Sequence, residues 1–109
     1  MKNEIMELVS GRVIEEEAPL SLADLCRCCA LPAEQIMDMI EQGIVDPIDA
    51  TVMVSRWQFR GDSVVRIQTA LRLQRDLNLN TEGAVLALEL MDEIKQLRQT
   101  VAYLQRRYL

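Results

Sequence analysis

After Gly83 the chain runs to Leu109 without a proline or a glycine, and Ala87, Leu90, Ile94, Leu97, Val101, Leu104 and Tyr108 follow at alternating spacings of three and four. That is the seam of a coiled coil, sustained over three heptads. Starting at Thr81, a candidate N-cap, such a helix spans about 40 Å. Each large seam residue withdrawn from water contributes roughly 1.5–3 kcal/mol, whereas a lone helix in water is marginal. The stripe therefore packs either back onto its own domain or onto a partner helix, and its length favours the partner. Residues 80-109 are read as a coiled-coil dimerisation helix, antiparallel to its mate, with Leu90, Ile94, Leu97, Val101 and Leu104 at the interface.

The rest of the chain is short-elemented. Ile5 to Ile14 is β-branched and apolar around Ser10-Gly11, which predicts a strand or tight hairpin within residues 1-19. Ser21 is an N-cap candidate with Asp24 three positions on, and Leu22, Leu25, Cys26 and Cys29 recur at helical spacing. Pro32, placed for a first helical position, and Glu34 open a second helix that runs to Gln42. Gly43 follows as a left-handed cap, and Asp46-Pro47 stops the helix from resuming.

Two short helices joined by a tight turn make a helix-turn-helix pattern. In Thr51 to Phe59, Val52, Val54, Trp57 and Phe59 nearly alternate, which suggests a two-stranded wing able to pair with the N-terminal strand. Gly61-Asp62-Ser63 caps a third helix whose positions Val64, Ile67, Ala70, Leu71 and Leu77 share a face, and which stops at Asn78. The expected fold is mainly α: a winged helix-turn-helix domain over residues 20-79 with a small β wing, followed by the long dimerisation helix.

Catalysis finds little purchase here. The chain has no histidine, which removes the commonest general base and the usual activator of a Ser or Cys nucleophile. Its four glycines are isolated, so no phosphate-cradling loop exists. The acids Glu15-Glu16-Glu17 and Asp92-Glu93 read as solvated surface. The three cysteines, Cys26, Cys28 and Cys29, are too tightly clustered to staple a fold and lack the further ligands that zinc requires. Cys26 and Cys29 belong with Leu22 and Leu25 on an apolar face, and Cys28 is the expected exposed thiol. A non-enzymatic, cytoplasmic binding protein is expected, with no cofactor, metal or small-molecule substrate. No apolar run approaches the 18 to 20 or so residues of a membrane span.

The charge map is the sharpest functional signal. Of 17 acidic residues, five (Glu34, Asp38, Glu41, Asp46 and Asp49) lie between Cys28 and Ser55, where there is no Lys or Arg. The remaining 12 acids balance the 12 bases, so the whole net charge of −5 resides in that segment. The second helix of a helix-turn-helix usually enters the DNA major groove, but a row of carboxylates repels phosphate. The same row suits a basic protein surface. A solvated face without a partner is the plainer alternative.

The helix-turn-helix, Gly43-Ile44-Val45-Asp46-Pro47, the segment with Trp57 and the long terminal helix together resemble MerR-type winged-helix proteins from Leu20 to Tyr108. Leu77-Asn78-Leu79-Asn80-Thr81-Glu82-Gly83-Ala84-Val85, leading into Ala87 to Ile94, is similar to the CbpM family of chaperone modulators. That resemblance implies binding to the J-domain of a DnaJ-type co-chaperone, CbpA, and inhibition of its stimulation of the Hsp70 chaperone DnaK. J-domains present a basic helix, so the resemblance and the charge map imply the same partner. The residues expected to meet it are Asp38 and Glu41, with Glu34, Asp46 and Asp49 around them and Met37 as an apolar centre.

DNA-binding MerR proteins carry an Arg-Tyr-Tyr-like set where this chain has Met37, Asp38 and Met39, so nucleic acid is not the expected partner. In the alternative reading, a MerR-type DNA-binding transcriptional regulator, Arg56, Arg60 and Arg66 would hold phosphates. A generic assembly partner unrelated to chaperones is the third possibility.

Overall fold

A computed structural model describes residues 19–108, and the strand or hairpin expected between Ile5 and Ile14 lies outside them. The first helix, α1 (Leu22–Cys29), begins in a complete capping box. The Ser21 hydroxyl accepts from the Asp24 amide at 3.0 Å, and the Asp24 carboxylate accepts from the Ser21 amide at 2.9 Å. The bond from the Ser21 amide holds the Asp24 carboxyl below its ordinary range, against a smaller opposing effect of burial. Arg27, one turn on, contacts the same carboxylate. Ser21→Ala is expected to cost about 1 kcal/mol, read as a lower urea midpoint at unchanged slope; an unchanged midpoint would show that the box holds nothing.

Helix α2 (Ala33–Glu41) follows Pro32, which stands one place outside the helix, with its carbonyl accepting from the amides of Gln35 and Ile36. Its end is a Schellman motif built on Gly43. Gly43 takes φ +89°, its amide donates to Ile40 O, and the Ile44 amide donates to Met39 O at 2.9 Å. Ile44 and Met39 are both buried, supplying the apolar contact that accompanies such a motif.

The expected wing is smaller than its alternation suggests. Strand β1 (Leu20–Ser21) pairs antiparallel with β2 (Gln58–Phe59), Leu20 opposite Phe59, and these two short strands form the sheet of the described residues. Val54–Arg56 is a 3₁₀ turn and not a strand. Local bonds explain the difference: the Asp49 carboxylate takes both the amide and the hydroxyl of Thr51, and the Trp57 indole donates to Val52 O at 3.2 Å. The segment closes on itself in turns, leaving Ile48 N–H to Gln58 O as a bond back towards the sheet.

Helix α3 (Asp62–Leu77) starts at Gly61 without a side-chain cap, and Ser63, expected in the cap, is buried instead. Val64, Ile67 and Ala70 face the core as their spacing predicts. Leu77 departs from that face; it is 62% exposed, because the last turn outruns the core before Asn78 ends the helix at φ +55°. The long helix α4 (Thr81–Tyr108) is capped by Asn80 and not by Thr81: Asn80 Oδ1 accepts from the Gly83 amide at 2.8 Å.

Every described helix contributes to one core, in which Leu25, Ile36, Ile44, Phe59 and Ile67 are fully buried and Ala84 and Leu88 of α4 close the end. Trp57 stands edge-on to Phe59, ring centroids 6.4 Å apart. Cys26 and Cys29 pack against this core, and so does Cys28, contrary to its expected exposure. Eight residues give α1 barely two turns, so all three thiols lie close to apolar neighbours. Burial pushes the Cys29 thiol up to about 11, which leaves it protonated and a poor nucleophile at neutral pH.

Candidate functional site

The spacing of Glu34, Asp38 and Glu41, four and then three, puts them within about 60° of one another around α2 at 100° per residue. Ile36 and Met39 point the opposite way, into the core, so burial of the helix forces the three carboxylates into water. All three are exposed, as are Asp46 and Asp49 beyond the helix. Among the described residues none of these five acids joins a salt bridge. The Thr51 hydroxyl and amide hold the Asp49 carboxyl below its ordinary range. Met37 sits beside the stripe and is half-buried, not at its centre.

This arrangement is locally unfavourable. Like charges three or four residues apart each cost a helix about 0.2–0.5 kcal/mol. Glu41 in the last turn also opposes the helix dipole, with no basic residue there to offset it. A stripe that lowers helix stability and is kept out of the core points to a role outside folding.

The long helix carries a second exposed face. Ala84 and Leu88 are buried on the domain and Val85 packs beside them, whereas Leu90, Ile94, Leu97, Val101 and Leu104 are 46–57% exposed. Around the helix axis the two groups lie about 160° apart. The seam therefore cannot fold back onto the surface that Ala84 and Leu88 occupy. The charges of α4 are segregated along its length: Glu82, Glu89, Asp92 and Glu93 precede Ile94 with no base among them, and Lys95, Arg98, Arg106 and Arg107 follow it with no acid.

Arg66 joins these parts. Its Nε donates to Ile44 O at 2.9 Å, at the end of α2, and its Nη1 reaches both carboxylate oxygens of Asp92 on α4, at 3.0 and 2.9 Å. Arg66 is thus not free to hold a phosphate, and Asp92, read as solvated surface, has a partner. Sequence reasoning missed this pair because the two residues are 26 positions apart and neither belongs to a local pattern. Arg56 and Arg60 remain exposed. Among the described residues no three His, Cys, Asp or Glu side chains come together as a metal ion would need, and no helix is long and apolar enough to cross a membrane.

Comparison with known proteins finds relatives over most of the chain. The profile of the family described as MerR HTH family regulatory protein matches residues 20–106. The chaperone modulatory protein CbpM of Coxiella burnetii (strain Dugway 5J108-111) is 30% identical over 100 residues, 92% of each chain. Proteins of the same name from Pseudomonas entomophila and from Pseudomonas putida (strain W619) are 34% and 33% identical over 88 residues, 81% of this chain and 85% of theirs.

Proposed function

This chain belongs to the CbpM family of chaperone modulatory proteins, within the MerR HTH regulatory proteins, and we propose that it is a stoichiometric inhibitor of a J-domain co-chaperone. It binds the J-domain of a DnaJ-type, CbpA-like partner and blocks stimulation of the Hsp70 chaperone DnaK. The observation that carries this reading is the exposed stripe of Glu34, Asp38 and Glu41 on α2, with no salt-bridge partner among the described residues. Asp38 and Glu41 make the central contacts, Glu34, Asp46 and Asp49 surround them, and Met37 packs at the flank. A basic helix laid along the stripe has its charges met, and the same helix is then unavailable to Hsp70.

The protein acts as a dimer through α4, with Leu90, Ile94, Leu97, Val101 and Leu104 in the seam. Charge segregation supports an antiparallel pairing. In that orientation the acidic first half of each helix faces the basic second half of its mate, whereas a parallel pairing sets like against like.

The DNA-binding alternative is weakened by the engagement of Arg66 and by the carboxylates on the helix that would enter the groove. Calorimetric titration with the J-domain separates the readings. Binding near one J-domain per chain, strong at low salt and weaker above the ionic strength at which the Debye length falls to about 8 Å, is the expected result. Failure to bind at low salt, with retardation of duplex DNA, would favour the regulator.

A further inference from the structure

Apart from Val65 and Leu77, the exposed large apolar side chains of the described residues lie either on α4 or in the loop from Ile48 to Val54. The first group belongs to the helix seam and its surroundings. The second has no such account: Ile48 is 54% exposed, Val52 37%, Met53 69% and Val54 45%. Nor is this a slack segment. Asp49 ties down Thr51, the Trp57 indole holds Val52 O, and the Arg56 amide donates to Met53 O at 2.8 Å. A bonded turn holds four apolar side chains out in water, and water opposes that placement.

The surroundings specify what covers them. Asp46 and Asp49, both exposed, bracket Ile48 with no Lys or Arg between Cys28 and Ser55, while the exposed Arg56 and Arg60 follow the loop at its other end. At the Ile48 end a complementary surface combines an apolar side chain with flanking cations, which a basic amphipathic helix offers and a nucleic acid or an acidic protein does not. We infer that the Ile48–Val54 loop is the apolar half of the partner surface, receiving an apolar side chain from the basic helix of the J-domain proposed above, and the inference rests on that reading. Met37, half-buried, offers less free area for this contact than Met53 does.

The two halves act on different steps of binding. Charge complementarity accelerates encounter, whereas desolvated apolar contacts govern how long the complex lasts.

The test is the rate of association and dissociation between the full-length chain and the J-domain, for the natural protein and for Met53→Ser with Val54→Ser. The expected result is dissociation faster by about tenfold, with the association rate within about twofold and its salt dependence retained. Both positions are exposed, so the melting midpoint should hold; if the pair lowers it, Met53→Ser alone serves, at the most exposed of the four side chains. Unchanged dissociation overturns the inference while leaving the proposed function standing. A change of mass in sedimentation also overturns it, because the loop then lies between copies of the chain. A natural protein that ignores the J-domain removes the inference and the proposed function together.

Discussion

Leu97→Asp is expected to convert the protein from dimer to monomer while residues 20 to 88 keep their fold. Leu97 is 57% exposed in the single chain, so the substitution takes nothing from the domain core. In the proposed dimer the same position is buried, and two-fold symmetry applies the change twice. Each copy loses about 2 kcal/mol of leucine burial and must also desolvate a carboxylate, which costs several kcal/mol more. Together these exceed about 4 kcal/mol, more than a thousandfold in dissociation constant. Sedimentation velocity at micromolar concentration checks it. The long helix should fray from its C-terminal end in the monomer, since about 16 residues of α4 beyond Asp92, the last one tied to the domain by Arg66, are then left in water. A dimer of unchanged mass would remove the coiled-coil reading.

Asp38→Lys with Glu41→Lys is expected to lose binding to the J-domain by more than about a hundredfold, because like charges across an interface cost several kcal/mol. The same double substitution should leave the melting midpoint unchanged or slightly raised. It relieves the repulsion from Glu34, replaces a poor helix former with a better one at position 38, and puts a cation where the helix dipole favours it. A variant that is as stable as the natural protein and yet inert towards the partner would assign the stripe to recognition. Unimpaired inhibition by the folded variant would remove that assignment.

What the sequence disclosed and what it hid divide along one physical line. Features set by bonds between near neighbours are legible: the Ser21–Asp24 box, the left-handed turn at Gly43, the end of α3 at Asn78, the core-facing spacing of Val64, Ile67 and Ala70, and the unbroken length of α4. The acidic stripe was legible for the same reason, since helix periodicity fixes Glu34, Asp38 and Glu41 relative to Ile36. Competition between neighbouring donors and acceptors was harder to read. Thr81 and Asn80 both suit a cap, and only the formed turn shows Asn80 taking the Gly83 amide.

The alternation from Val52 to Phe59 suggested a strand because side-chain pattern alone does not reveal that Asp49 and Trp57 bind the backbone of the same loop. The exposed apolar surface of the loop is hidden from the sequence for the same reason. Arg66 was out of reach altogether, since its partners are brought to it by the packing of α2, α3 and α4.

The bridge made by Arg66 has a mechanical consequence. One guanidinium joins the end of the acid-bearing helix to the base of the long one, adding to the packing of Ala84 and Leu88 on the domain core. In the proposed antiparallel pair that coupling restrains the gap between the two acidic faces. A partner that presents two J-domains on a tether long enough to span that gap gains the avidity of an intramolecular second contact, and one whose tether is too short binds a single head.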